Sequence, residues 1–291
     1  VKINKKSKIM AYSTDLSDKE WLIIEKLLPV KKNTRPPKWS KREILNAIFY
    51  QLKNGCNWCD LPKDFPPYST VYWHYKQWRE AGVIEKIMEK LHSQVREQVK
   101  KKPKWTTLMI IDSQAVDNTC NASIESKGFC SYKMKNGIKR HLAVDILGFP
   151  FFSHCTKASV SDDKGLIEMF TKNINYFKSK PEELAKTTIL VEQGYHPEKI
   201  RVELEKVYPE IMTKIQFELS EKPSKAEKKA KGILGFVVVK VRWVIERSNA
   251  WIERCKSLVK NFERNLENAR TKLNLCFIRL MLKRLALEAT S

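Results

Sequence analysis

Apolar residues recur at helical spacing through the first third of the chain. In "DLSDKEWLIIEKLLP" (15–29), Trp21, Ile24, Leu27 and Leu28 share one face, the signature of an amphipathic helix. Ser17 at the N-cap and Glu20 three residues on predict a capping box, and Pro29 predicts the stop. Ser40 with Glu43 predicts a second box, opening "SKREILNAIFYQLKNG", which Gly55 closes. Ser69 is placed to cap a third helix, "STVYWHYKQWREAG", ended by Gly82. A fourth, "VIEKIMEKLHSQVREQVKKK", runs into Pro103. Residues 11–102 therefore read as a small all-helical, helix-turn-helix-like domain. It follows a basic tail, 1–10, in which Met10 is a candidate start.

The pattern changes after Pro103. "TTLMIIDS", "RHLAVDILG" and "PFFSHCT" are short β-branched or aromatic runs bounded by Gly, Asn and Pro, the texture of strands. "KGLIEMFTKNINYF" returns to helical spacing, "TTILVEQGY" (187–195) is strand-like, and "PEKIRVELEKV" is helical with Pro197 in its first turn. "SEKPSKAEKKAKG" reads as an exposed charged connection, and 241–289 as a long amphipathic helix. Strands interleaved with helices predict an α/β (α+β) fold with a mixed sheet over 103–291.

Charge narrows the partner. The chain has 291 residues with 55 Lys+Arg against 33 Asp+Glu, a formal charge of +22, which predicts an anionic partner, most simply nucleic acid. Its 42% hydrophobic content excludes a disordered chain. No run of eighteen apolar residues is present, as a membrane-crossing helix would need. Seven cysteines without framework spacing fit free thiols in a reducing compartment, so a cytoplasmic setting is expected. "CNWC" (56–59) has metal-ligand spacing but no second Cys or His pair follows it, and core packing is the expected role.

Three acids fall at informative places. Asp112 follows Leu108–Ile111, Glu192 follows Ile189–Val191, and Glu246 lies in "VRWVIERSNAWIERC". There Trp243, Ala250 and Trp251 are expected to mark the apolar side, with Glu246 at its edge facing the sheet. Two strand-end carboxylates and one from a helix laid across them would supply the hard oxygens that Mg²⁺ takes. Two such ions can activate a nucleophile and stabilise a leaving oxygen at phosphorus.

The strings "IIDSQAVDNT", "KNGIKRHLAVDILGFP", "ILVEQGY" and "RWVIERSNAWIERCKSLVKNFER" resemble the DDE transposases of bacterial insertion sequences, in particular the family-five (IS-five) group. "LSDKEWLIIEKLLP" and "REILNAIFYQLKNGCNWCDLPKDFPPYSTVYWHYKQWREAG" resemble the helical DNA-binding region of that group, so the resemblance spans 12–285. It implies a ribonuclease H-like catalytic domain and two Mg²⁺ or Mn²⁺ ions. The implied catalytic and metal-binding residues are Asp112, Glu192 and Glu246. The family's Arg-x-x-x-Glu pattern is present as Arg242 and Glu246, which implies that Arg242 contacts DNA phosphate or orients the site. The partners implied are double-stranded DNA (the terminal inverted repeats and a target) and further copies of the chain. The implied place is the bacterial nucleoid.

The chain departs from the family at one ligand: Glu192 stands where relatives carry Asp, adding one methylene, about 1.5 Å of reach. Impaired catalysis is expected; Asp145, Asp162 and Asp163 are nearby acids, but the family has those segments without using them as the second ligand, so a rescue by them is not expected. A catalytically impaired or domesticated derivative that only binds DNA is the alternative reading. Among basic residues, Lys76 and Arg79 on the third predicted helix, with Lys133, Lys139 and Arg140, are candidate DNA contacts beside Arg242. A lysine group, Lys222, Lys225, Lys228, Lys229 and Lys231, reads as a solvated face.

Overall fold

The computed structural model describes residues 12–30, 37–102, 104–220 and 240–288. The chain folds through α1 (Asp18–Glu25), α2 (Lys41–Asn54), α3 (Tyr68–Glu80) and α4 (Val83–Gln98). It continues with β1 (Leu108–Asp117), β2 (Phe129–Cys130), β3 (Lys135–Val144), β4 (Pro150–Lys157), α5 (Asp162–Lys172) and α6 (Ile174–Lys178). Then follow β5 (Thr187–Val191), α7 (Pro197–Val207), β6 (Ile215–Leu219), α8 (Lys240–Glu253), α9 (Lys256–Val259) and α10 (Leu266–Glu288).

Both predicted capping boxes form. Ser17 N–H donates to Glu20 Oε2 at 2.8 Å, and Ser40 N–H to Glu43 Oε2 at 2.9 Å. Gly55 closes α2 in the left-handed region, φ +70°, where a side chain is strained. Three boundaries differ from expectation. The first helix ends at Glu25, because Leu27 and Leu28 donate three residues back, to Ile24 and Glu25, a tighter turn that exhausts the helix before Pro29. α3 starts at Tyr68, without a side-chain cap; the Pro67 carbonyl takes the amides of Thr70 and Val71, leaving Ser69 inside the first turn. The expected long C-terminal helix is broken into α8, α9 and α10. Asn261 leaves helical geometry to pair with Asn118 and donates its N–H to Asp117 O at 2.8 Å.

The sheet is mixed and flanked by helices. Its main order is β4-β3-β1-β5-β6, with β2 on the far end of β3. β1 pairs antiparallel with β3 and β3 with β4, whereas β1, β5 and β6 run parallel. Two strands were not expected from the sequence: the two-residue β2 and β6, an edge strand with alternating burial. Alternation along β1 separates two cores. Ile110 faces a core shared with α1–α4, α8 and α10; Met109 and Ile111 face a second core with α5, α6 and α7. The helical segment is therefore sealed to the rest. Arg96 and His92 on α4 both reach buried Asp145, at 2.9 and 3.2 Å, Arg270 on α10 pairs with Glu85 at 3.0 Å, and Arg279 pairs with Glu20.

α5 approaches the sheet unusually closely at Gly165, where an added Cβ would lie 2.2 Å from the imidazole of His141. That ring is fully buried and shares a hydrogen bond with Thr156 Oγ1 at 2.9 Å. Burial, helped by the neighbouring His154, pushes its pKa down to about 3. In the unfolded chain the imidazole takes a proton below its ordinary value of about 6.5, whereas the folded chain refuses it. Stability is thus lost as pH falls between those two values. Replacing His141 by Gln is expected to remove about 2 kcal/mol of the loss between pH 7 and pH 5, read by urea denaturation at both pH values. An unchanged pH dependence would refute the assignment.

Candidate active site

The last parallel pair of β1 and β5 is Ile111 opposite Val191. The next residue on each strand is an acid, so Asp112 and Glu192 emerge side by side. Glu192 does sit just past its strand, in a turn closed by Tyr195 N–H to Glu192 O at 3.0 Å. Asp112 does not: β1 runs on to Asp117, because β3 pairs with it from Ile110 through Asp117. Asp112 is a mid-strand residue exposed to the site only because β5 stops beside it.

Helix α8 crosses at this point. Arg242, Glu246, Asn249 and Glu253 are spaced four, three and four apart and so line one face. Asn249 Nδ2 donates to Asp112 Oδ2 at 2.9 Å. Arg242 Nε lies 3.0 Å from Glu246 Oε1 and 3.0 Å from Glu192 Oε1. Farther along, Gln114 Nε2 donates to Glu253 Oε1 at 3.4 Å. The buried side of α8 is Val244, Ile245, Ser248 and Ile252; of the expected Trp243, Ala250 and Trp251, Trp251 alone packs against the core, stacked on Phe149. Trp243 and Ala250 are exposed, and the Trp243 ring is covered by the Arg247 guanidinium at 4.7 Å. Ser248 anchors the helix by donating to Gly148 O at 2.7 Å. Gly148 has φ +84°, and a Cβ there would meet Ser248 Oγ at 2.8 Å, so only glycine suits that turn.

Asp112 pays electrostatically for its position. Burial first, then the Glu192 charge, push its carboxyl up to about 6, against the opposing pull of Lys133 and Asn249. Lys133 Nζ donates to Ser113 O at 2.9 Å, beside the acid. On the opposite sheet face Ser113 Oγ donates to Asp162 Oδ1 at 2.8 Å. The buried Tyr195 hydroxyl has its pKa raised well above the ordinary value, by burial first and then by Asp112 and Asp162.

The donor chemistry suits a hard cation: carboxylates draw together and a guanidinium already neutralises two of them. Among the described residues, however, no group of three or more His, Cys, Asp or Glu is arranged to hold a metal, since Arg242 stands between Glu192 and Glu246. The three acids not expected to replace Glu192 are all committed elsewhere. Asp145 binds Arg96 and His92, Asp162 pairs with Lys139 at 2.9 Å, and Asp163 with His196 at 2.9 Å.

Two family models match the chain in the same order. Residues 16–88 match one described as "Putative transposase of IS4/5 family", and residues 105–282, well over half of the chain, match "Transposase DDE domain". The chain belongs to the DDE transposase family. A curated relative, "Uncharacterized protein y4sN" of Sinorhizobium fredii (strain NBRC 101917 / NGR234), is 31% identical over 74 residues, 25% of this chain. The chain covers 59% of that relative's length. No solved structure matches. DDE transposase domains in general act as nucleases and polynucleotidyl transferases with divalent metal ions, and among the described residues of this transposase no helix is long and apolar enough to cross a membrane.

The basic candidates of the transposase divide. Arg242 and Lys133 lie at the acids, as above. Lys139 and Arg140 do not face solvent. β3 is covered on both faces, so the Lys139 ammonium turns to Val160 O at 2.8 Å and to Asp162, and the Arg140 guanidinium to Leu258 O at 2.7 Å. Both are buried, where surface positions open to a phosphate were expected. Arg79 bridges α3 to Asn268 on α10 and pairs with Glu80 at 3.1 Å, whereas Lys76 is exposed. The lysines at 222, 225, 228, 229 and 231 lie outside the described residues. Cys56 and Cys59 are not core residues as expected; Cys59 is exposed and both thiols are free. Asn249 was missed, although its place seven residues after Arg242 and three after Glu246 was a readable signal.

Proposed function

We propose that this chain is an insertion-sequence transposase that binds the terminal inverted repeats of its element and carries out metal-dependent DNA strand cleavage and strand transfer. The observation that carries the reading is the polar face of α8, whose Arg242, Glu246 and Asn249 lie against Glu192 and Asp112 at neighbouring strand positions. Asp112, Glu192 and Glu246 would hold Mg²⁺ or Mn²⁺, two ions in all. Bound there, the metal would supply Lewis-acid activation of the attacking oxygen and charge stabilisation of the leaving one.

The protein's own residues prepare this chemistry. Asn249 fixes the Asp112 carboxylate by its amide N–H and leaves the second oxygen unclaimed by that bond. Arg242 holds the two glutamates until DNA arrives, and then turns to a backbone phosphate, for which its guanidinium is well shaped. Lys133 adds positive charge beside Asp112, where a phosphodiester would lie. Residues 11–102 form the DNA-recognising domain and 103–291 the catalytic one, with the helical part reading the inverted repeats. The functional assembly is a homo-oligomer on paired DNA ends, in the cytoplasm at the nucleoid.

Purified protein incubated with duplexes carrying the ends of its element should nick them in Mn²⁺ or Mg²⁺ and not in EDTA, read on denaturing gels. Binding without any metal-dependent nicking would favour the second reading, a derivative that recognises DNA but no longer cuts it. Glu192, in the position where relatives carry Asp, is the feature that favours that alternative.

A further inference from the structure

A second site lies away from the acids, in an open groove of about 1060 Å³ between the helical segment and two stretches, one in the loop between β1 and β2 and one leading into α10. One wall is α3 and the turn before it, and the other is formed by residues 120–123 and 262–268. Its rim holds Tyr68, Tyr72, Trp73 and Phe262, which are 51%, 39%, 47% and 41% exposed. Each of these half-exposed rings turns part of its apolar surface to the groove, so four on one groove offer a ligand a near-continuous aromatic lining. The basic residues of the same groove are Lys76 and Arg264, both exposed; Lys76 lies 3.9 Å from Glu80 in a solvent-exposed pair, which holds it only weakly. Its acid, Glu263, is directed at the buried ammonium of Lys272, 3.7 Å away, so the open charge is positive.

The second wall is tied firmly to the strand that carries Asp112. Asn261 donates to Asp117 O at 2.8 Å, Thr119 N–H to Asn261 O at 2.9 Å, and Asn261 Nδ2 to Asn118 Oδ1 at 2.8 Å. Asp117 is five residues beyond Asp112 on β1, roughly 17 Å at strand rise. That distance is about five nucleotide steps of a DNA strand.

We propose that this groove binds unpaired nucleotides of a DNA strand, with Tyr72, Trp73 and Phe262 stacking on bases and Lys76 and Arg264 on the backbone. Aromatic faces gain little from a paired duplex, whose base faces are hidden in the stack, whereas unpaired bases offer a face to each ring. Positive charge beside the rings selects a nucleic acid over an apolar protein segment. The proposal rests on the transposase reading above and adds to it a place for a displaced or frayed strand.

The test uses the full chain in EDTA, so that cleavage plays no part. A fluorescein-labelled oligothymidylate of about twelve nucleotides and a fully paired duplex are titrated by anisotropy. Trp73→Ala with Phe262→Ala should weaken oligothymidylate binding at least about five-fold and duplex binding less than about two-fold. Trp73→Phe, which keeps a ring, should retain most of the affinity. Unchanged oligothymidylate binding in the double variant overturns the proposal while leaving the transposase reading intact, as does a wild-type chain that binds duplex alone. Equal loss on both DNAs reassigns the groove to duplex contact. Loss of self-association in sedimentation, with nucleotide binding intact, reassigns it to a second copy of the chain. A wild-type chain that binds neither DNA defeats both readings.

Discussion

Asp112→Asn is expected to lower metal-dependent strand cleavage by roughly 10³-fold, the several kcal/mol that a correctly held divalent ion contributes to such a transition state. DNA affinity in EDTA should stay near wild type. The same substitution should make the metal-free protein more stable. The folded-state pKa of Asp112, about 6, lies above its ordinary value, so near neutral pH the ionised carboxylate costs about 3 kcal/mol relative to the unfolded chain. That cost is present above the folded pKa and fades as pH falls through it. Asn is uncharged and its side-chain oxygen can still accept from Asn249, so urea denaturation at pH 7.5 should show a gain (about neutral-to-basic conditions are needed for the carboxylate to be ionised). A variant that loses cleavage while gaining stability cannot be explained by unfolding. Cleavage retained in the variant would remove Asp112 from the chemistry.

Glu192→Asp is expected to act in the opposite direction, raising cleavage by about 10²-fold. The extra methylene displaces a carboxylate by about 1.5 Å along the chain of bonds, and a misplacement of about 1 Å costs on that order. In the structure the longer side chain reaches Arg242; shortening it should loosen that contact and draw the carboxylate back towards Asp112. Cleavage rates measured side by side on the same duplex decide the matter. Equal rates for the two chains would mean that glutamate serves as well as aspartate here, and the impaired-derivative reading would lose its main support.

Much of this arrangement was legible from local chemistry. The capping boxes at Ser17 and Ser40 are written in four residues each and formed as read. So was β5, a short apolar run delivering Glu192 at its tip. What could not be read was set by distant pairing. Asp112 looks like a strand end because an acid follows four apolar residues, yet β3, more than twenty residues later, extends the strand beyond it. Lys139 and Arg140 look like surface charge, and their burial depends on Asp162 and on the Leu258 carbonyl arriving from other elements. The break after Val259 carries no proline or glycine; it exists because Asn261 has a better backbone partner at the end of β1. β6 had its alternating pattern in plain view at 215–219, Ile215, Phe217 and Leu219 with polar residues between them, but at five residues it is short and runs straight into a charged segment.

The core common to α1–α4, α8, α10 and one sheet face has a mechanical consequence. A reader of DNA joined to a cutter by a linker can reach along the helix, and its cutting position blurs with the linker's slack. Here Arg96, Arg270 and Arg279 bolt α4 and α1 to the same framework that carries Asp112 and Arg242, and the shared core holds α2 and α3 with them. Under the proposed function the protein would act as a ruler: the spacing between the bases read by the helices and the bond beside the acids would be a dimension of the fold, and changing it would require rebuilding the core.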